Sequence, residues 1–146
     1  APRRGSGMYP HVQFIDLPPD GQIRAHRDNM KLFGEFTCGL NLLSSAVMRF
    51  RPCRPTPAQE EEEDEEEGEG EEGEGVIDVL LRPRSLYVMH GPLRWHYTHE
   101  VLDAAASAEV WRKQPAQEGC GGEERGRRIS VIARDLGKPG VFGVEW

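Results

Sequence analysis

His26-Arg27-Asp28 sets an imidazole and a carboxylate two residues apart. On an extended strand these two side chains share one face and Arg27 turns away. Two donors on one face can grip a metal ion if a third arrives from a neighbouring strand. Two histidines and one carboxylate leave three coordination positions open, and mixed nitrogen and oxygen donors suit Fe(II). The third donor must come from His11, His90, His96 or His99. His90 abuts a Gly91-Pro92 turn, and His11 opens the first strand. His96 and His99 lie on one predicted strand with opposite parity, so one faces inward. Trp95, Tyr97 and His99 share the face with the larger apolar bodies, which selects His99. Taken alone, His96 and His99 read equally well as ordinary strand histidines, and His-x-Asp is common by chance. His-Arg-Asp also opens kinase catalytic loops, but the required Asn five residues on is Phe33 here. No Gly-rich loop, strand lysine or Asp-Phe-Gly accompanies it, which excludes that reading.

A second set of candidates lies near the end of the chain. Arg128, Ser130, Ile132 and Arg134 share one strand face, and Ile129, Val131 and Ala133 share the other, which is the predicted core face. An arginine turned into a β fold is costly unless it meets an anion. Arg128 and Arg134 are six residues apart, roughly 20 Å along a strand. Two long side chains reaching toward each other could hold opposite ends of a small dicarboxylate, and the guanidinium fork matches a carboxylate bidentately. By themselves the two arginines also fit a solvent-facing edge strand.

The elements that must position these residues are mostly strands. Runs with β-branched or aromatic content lie between turn signals at His11–Leu17, Gln22–Asp28, Thr37–Leu43, Ala46–Arg51, Val76–Arg82, Ser85–His90, Arg94–Val101 and Arg128–Leu136, with Val141–Trp146 a possible ninth. Asp103–Lys113 is the only helical candidate, and Gln114–Gly126 reads as a polar, Gly-rich loop. Many short strands with little helix predict an all-β sandwich, jelly roll or barrel. The absence of a Cys–Trp–Cys arrangement disfavours an immunoglobulin-like sandwich.

The 146 residues fit one domain, read as 11–146 after an N-terminal remnant at 1–10, with an insertion at 52–75. The net charge of −7 is misleading. Glu60–Glu74 holds twelve acidic residues and three glycines, and without it 13 acidic residues face 18 basic ones, a charge of +5. Such a run repels itself and buries nothing, so it is expected to be disordered. The mildly basic remainder is compatible with anionic substrates. Three cysteines exclude a dense disulfide framework and suggest a reducing compartment. No apolar run approaches the roughly 18 residues of a membrane-spanning helix. The chain begins with Ala1 and is read as a fragment or processed product; Ala1–Gly7 is basic without an apolar signal core.

Together, the order His26-x-Asp28, then His99, then Arg128-Ile-Ser130-Val-Ile-Ala-Arg134 resembles the AlkB-like Fe(II)/2-oxoglutarate dioxygenases. The carrying segments are GQIRAHRDNMKLFG, GLNLLSSAVMRF, SLYVMHGPLRWHYTHEVL and RGRRISVIARDL, and a mitochondrial branch of the family is the most similar. The resemblance implies a double-stranded β-helix (jelly-roll) core with Fe(II), 2-oxoglutarate and O2 as cofactor and cosubstrates. It implies His26, Asp28 and His99 as iron ligands and Arg128 as the partner of the distal carboxylate of 2-oxoglutarate. Arg134 would lie near the metal-proximal end, and Tyr87 would hydrogen-bond 2-oxoglutarate. With Ser85, Tyr87 and Met89 on one face, Leu86 and Val88 should pack in the other layer. The Asn-x-Tyr pair that the family often carries before the His-x-Asp strand is absent from FIDLPPDG.

The implied activity is hydroxylation or N-demethylation with release of succinate and CO2. The alternatives are an iron-binding module of the same fold without turnover, and a metal-free sandwich in which His-x-Asp is accidental. Ten residues before the first strand are too few for a nucleotide-recognition lid, and an acidic insertion near the mouth would repel a phosphate backbone. Both disfavour duplex DNA and leave a protein or RNA substrate, acted on by a monomer. The resemblance points to the mitochondrion; without it the compartment would be cytoplasmic or nuclear.

Overall fold

The computed structural model describes residues 8–53, 75–113 and 125–137. The expectations for residues 1–7 of the N-terminal remnant, the acidic run, most of the Gln114–Gly126 loop and a ninth strand at Val141–Trp146 lie outside the described residues; of the remnant, 8–10 are described, and there the Tyr9 amide donates to the Arg134 carbonyl oxygen at 2.8 Å.

Among the described residues eight strands and two helices follow one another: β1 (Gln13–Leu17), β2 (Ile23–His26), β3 (Phe33–Leu42), β4 (Ala46–Pro52), β5 (Ile77–Leu81), β6 (Ser85–Met89), α1 (Pro92–Trp95), β7 (Tyr97–Val101), α2 (Ala104–Lys113) and β8 (Arg128–Leu136). They form two antiparallel four-stranded sheets, ordered β1-β8-β3-β6 and β2-β7-β4-β5. Neighbours in each sheet are mostly non-consecutive in sequence, as in a double-stranded β-helix, the expected fold.

Strand alternation builds the core between the sheets. Met48, Phe50, Leu81, Met89 and Val101 are buried there, and Tyr87, Leu93 and Ile23 pack against them. Val47, of opposite parity to Met48, is buried instead with Leu102 and Val110 beneath α2. Asp103 starts that helix by accepting a hydrogen bond from the Ala106 amide at 2.8 Å.

Three local expectations are corrected. Arg94–Val101 is not one strand: Gly91, at φ 58°, and Pro92 at the first helical position turn residues 92–95 into a short helix, so a second helix exists and the strand begins at Tyr97. Leu86 and Val88 do not pack in the other layer, since they are 69% and 49% exposed. On β8 the core face is the one carrying the arginines: Arg128, Ser130 and Ile132 are buried, whereas Ile129, Val131 and Ala133 are half-buried.

Candidate metal and carboxylate site

The register of β2 on β7 sets His26 directly opposite His99. Their ring centroids are 4.3 Å apart. Asp28 lies two residues beyond His26, where β2 has ended, and its carboxylate turns back toward both rings. Asp28 Oδ1 is 3.8 Å from His26 Nε2 and 4.0 Å from His99 Nε2. One potential ligand atom from each of the three residues lies within 4.8 Å of the others, a spacing one metal ion could span.

The electrostatics suit coordination. His26 Nδ1 lies 2.8 Å from the Arg24 carbonyl oxygen, which only accepts, so Nδ1 points its N–H there and Nε2 is the ring atom turned toward the site. Burial, and then the neighbouring His26 ring, push the His99 imidazole down to about 4, although Asp28 opposes this. His99 is therefore neutral at pH 7 and able to donate its lone pair. Burial alone would raise the Asp28 carboxyl, but hydrogen bonds from Arg134 and Thr37 and the nearby positive charges hold it at about 2. Arg134 grips both oxygens, with Nε 2.9 Å from Oδ2 and Nη2 3.1 Å from Oδ1, and Thr37 Oγ1 donates to Oδ2 at 2.9 Å. Arg134 is itself fixed by the Gln13 side chain at 3.0 Å and by stacking 4.8 Å from the Phe33 ring centroid.

A cavity of about 190 Å³ extends from His26 and His99 between the sheets, with Thr37, Tyr87, Arg128 and Arg134 on its wall. Arg128 is 1% exposed. Its Nε donates to Asn41 Oδ1, Nη1 lies 3.3 Å from Ser130 Oγ, and the Tyr87 hydroxyl completes the set. Burial lowers the Arg128 pKa and raises that of Tyr87, so the phenol stays protonated. Among the described residues no carboxylate pairs with Arg128. A buried cation held by neutral partners beside a cavity is matched to an anion entering that cavity. By this test the donor triad fits a divalent metal, and the buried guanidinium fits a carboxylate.

Tyr87 reaches Arg128 across Gly39, its cross-strand partner. A Cβ at Gly39 would collide with the Tyr87 ring and hydroxyl, so the absent side chain is what lets the ring lie over the strand. Asn41, fully buried, has its amide nitrogen near the carbonyl oxygens of Ser44, Leu81 and Arg82, which turns its oxygen toward Arg128.

Every sequence-predicted site residue therefore lines or contacts this one region. The reading missed Thr37, Gly39 and Asn41. Two of them left a signal, since a glycine inside a strand marks a close approach and a polar Asn interrupts the apolar run Leu40–Leu43. Of the rejected histidines, His96 is exposed at the C-cap of α1.

Residues 6–134 match the 2OG-Fe(II) oxygenase superfamily. The chain belongs to that superfamily. Its cofactor set, Fe(II), 2-oxoglutarate and O2, is the one for which the donor triad and the buried guanidinium were found to fit. Within it, the chain is 34% identical over 142 residues to alpha-ketoglutarate-dependent dioxygenase alkB homolog 7, mitochondrial, of Bos taurus, covering 93% of this chain and 52% of the relative. Against the protein of the same name from Mus musculus it is 34% identical over 125 residues, covering 86% of this chain and 45% of the relative. The chain thus spans about half the length of the curated relatives it matches. No helix among the described residues is long and apolar enough to cross a membrane.

Proposed function

We propose that this chain forms the catalytic core of an Fe(II)- and 2-oxoglutarate-dependent dioxygenase of AlkB type that hydroxylates or demethylates a protein or RNA. The observation that carries this reading is the convergence of His26, Asp28 and His99 within 4.8 Å at a cavity that also holds the buried Arg128, paired with no carboxylate among the described residues. When bound, Fe(II) and 2-oxoglutarate supply the oxidation: O2 is reduced as 2-oxoglutarate loses CO2 to become succinate, and a substrate C–H bond is oxidised.

The protein's part is holding and positioning. His26 and His99 contribute Nε2 lone pairs, and Asp28 contributes an oxygen kept anionic by Arg134 and Thr37. Arg128, fixed by Asn41 and Ser130, receives the distal carboxylate of 2-oxoglutarate, with the Tyr87 hydroxyl beside it. Arg134 serves the metal end through Asp28. Substrate enters where His26 is exposed, its side chain being 41% accessible against 11% for His99. The mitochondrial names of the relatives support the same compartment here.

Succinate formation from 2-oxoglutarate, with and without Fe(II), tests this reading. Wild type is expected to release succinate only with iron, and His26→Ala to release none. Turnover retained in His26→Ala overturns the assignment of the centre. Binding of Fe(II) and 2-oxoglutarate without succinate would place the chain among binding modules of the same fold.

A further inference from the structure

Arg94 is 1% exposed, and among the described residues it is hydrogen bonded to no carboxylate. Its guanidinium instead faces four main-chain carbonyls: Nε is 3.1 Å from Gly34 O, Nη1 3.3 Å from Asp28 O, and Nη2 3.3 Å from Asn29 O and 3.2 Å from Phe33 O. Asp28 and Asn29 belong to the segment joining β2 to β3, and Phe33 and Gly34 open β3. Burial lowers the Arg94 pKa. A fold rarely keeps such a costly cation without a use for its five donors.

The helix that presents Arg94 is held as well. Glu35 accepts hydrogen bonds from the Gly91 amide and from Trp95 Nε1, each at 2.9 Å, and so grips both ends of α1. One residue after α1, β7 begins and carries His99. The segment with Asp28 is therefore tied to the helix that leads into the strand of His99.

We propose that Arg94 is a positioning residue for the metal centre: by gathering the carbonyls of residues 28, 29, 33 and 34 it fixes where the Asp28 carboxylate stands relative to the two imidazoles. This rests on the reading of His26, Asp28 and His99 as ligands. The Arg134 contact sets the charge and rotation of the carboxylate, whereas Arg94 sets the backbone from which it projects. Loss of such a supporting partner typically weakens metal binding by about 10- to 100-fold.

The test measures Mn(II) affinity by calorimetry and the visible absorption of the Co(II)-loaded chain, beside the thermal midpoint, for wild type, Arg94→Lys, Arg94→Met and Leu93→Ala. Lysine keeps the charge and much of the volume but loses the fork, so this variant keeps a folded protein in the comparison. Leu93→Ala loosens the same helix through the core against which Leu93 packs. The expected result is Mn(II) binding at least tenfold weaker in Arg94→Lys, with a shifted Co(II) band, while Leu93→Ala lowers the midpoint at least as much but keeps wild-type affinity and band. Wild-type affinity in Arg94→Lys overturns the inference alone, as does equal loss in both variants at equal midpoint. Absence of Mn(II) and Co(II) binding by wild type overturns the ligand assignment and this inference with it.

Discussion

The two faces of β8 invert the usual rule. The inner face presents Arg128, Ser130 and Arg134, and the outer face presents Ile129, Val131 and Ala133. Across the sheet the outer face continues apolar: Phe14 lies opposite Val131, Val131 opposite Leu40, and Leu40 opposite Leu86. Phe14 and Leu86 are 72% and 69% exposed. Burying arginine while leaving phenylalanine and leucine exposed costs free energy in both places. The inner face repays that cost only by what it holds, because each of its polar groups is engaged. Asn41 and Ser130 hold Arg128, and Asp28 holds Arg134. Function and stability thus divide between two faces of one sheet.

That division can be broken or sharpened by substitution. The largest expected effect is Arg128→Ala. Losing one partner of a buried charged contact costs about 3–5 kcal/mol. At about 1.4 kcal/mol per tenfold, the 2-oxoglutarate requirement should rise a hundred-fold or more while metal still binds. Titrating 2-oxoglutarate against succinate release checks it, and an unchanged requirement removes Arg128 as the anchor.

Next comes pH. His99 is held at about 4 in the folded state against an ordinary 6.5. Below 6.5 the unfolded chain takes up this proton before the folded one, so stability is full above 6.5 and falls as pH drops toward 4. The span corresponds to up to about 3 kcal/mol. Denaturation of the metal-free chain between pH 7 and 4 should show this loss, and His99→Gln should flatten it. Asp28, held at about 2, adds its own loss only as pH falls below its ordinary 3.8.

Gly39→Ala sets a methyl against the Tyr87 ring. Overpacking of this kind costs about 1–3 kcal/mol. Both the thermal midpoint and 2-oxoglutarate affinity should fall, as a melting scan and a 2-oxoglutarate titration would report. The smallest effect belongs to the outer face. Leu86→Thr should change stability by less than about 0.5 kcal/mol and leave turnover untouched, as chemical denaturation and the succinate assay would report.

These contrasts explain what was legible in the sequence. The bounds of β8 were readable from its composition, and so was its two-residue alternation. Which face turns inward was not, because hydrophobicity assigns the apolar set to the core and says nothing of a cavity that wants charge. His26 and Asp28 stood out by spacing. The parity that favours His99 draws partly on Trp95, which lies on α1 rather than on the strand and does not share it. Arg94 was hidden for the same reason, since the Gly91-Pro92 turn continues into a helical turn that strand periodicity cannot register. Gly39 and Tyr87 are far apart in the chain, and only the β3–β6 register reveals that one makes room for the other.

The placement of β2 has a last consequence. Among the described residues this four-residue strand sits at the edge of its sheet, joined to it through β7, with an irregular register between Ile23 and His26. An ion shared by His26 and His99 would act as a rivet through that narrow seam. Its escape and the peeling of the strand then become one event, so the occupancy of the rivet sets how often the hem of the sheet comes unstitched.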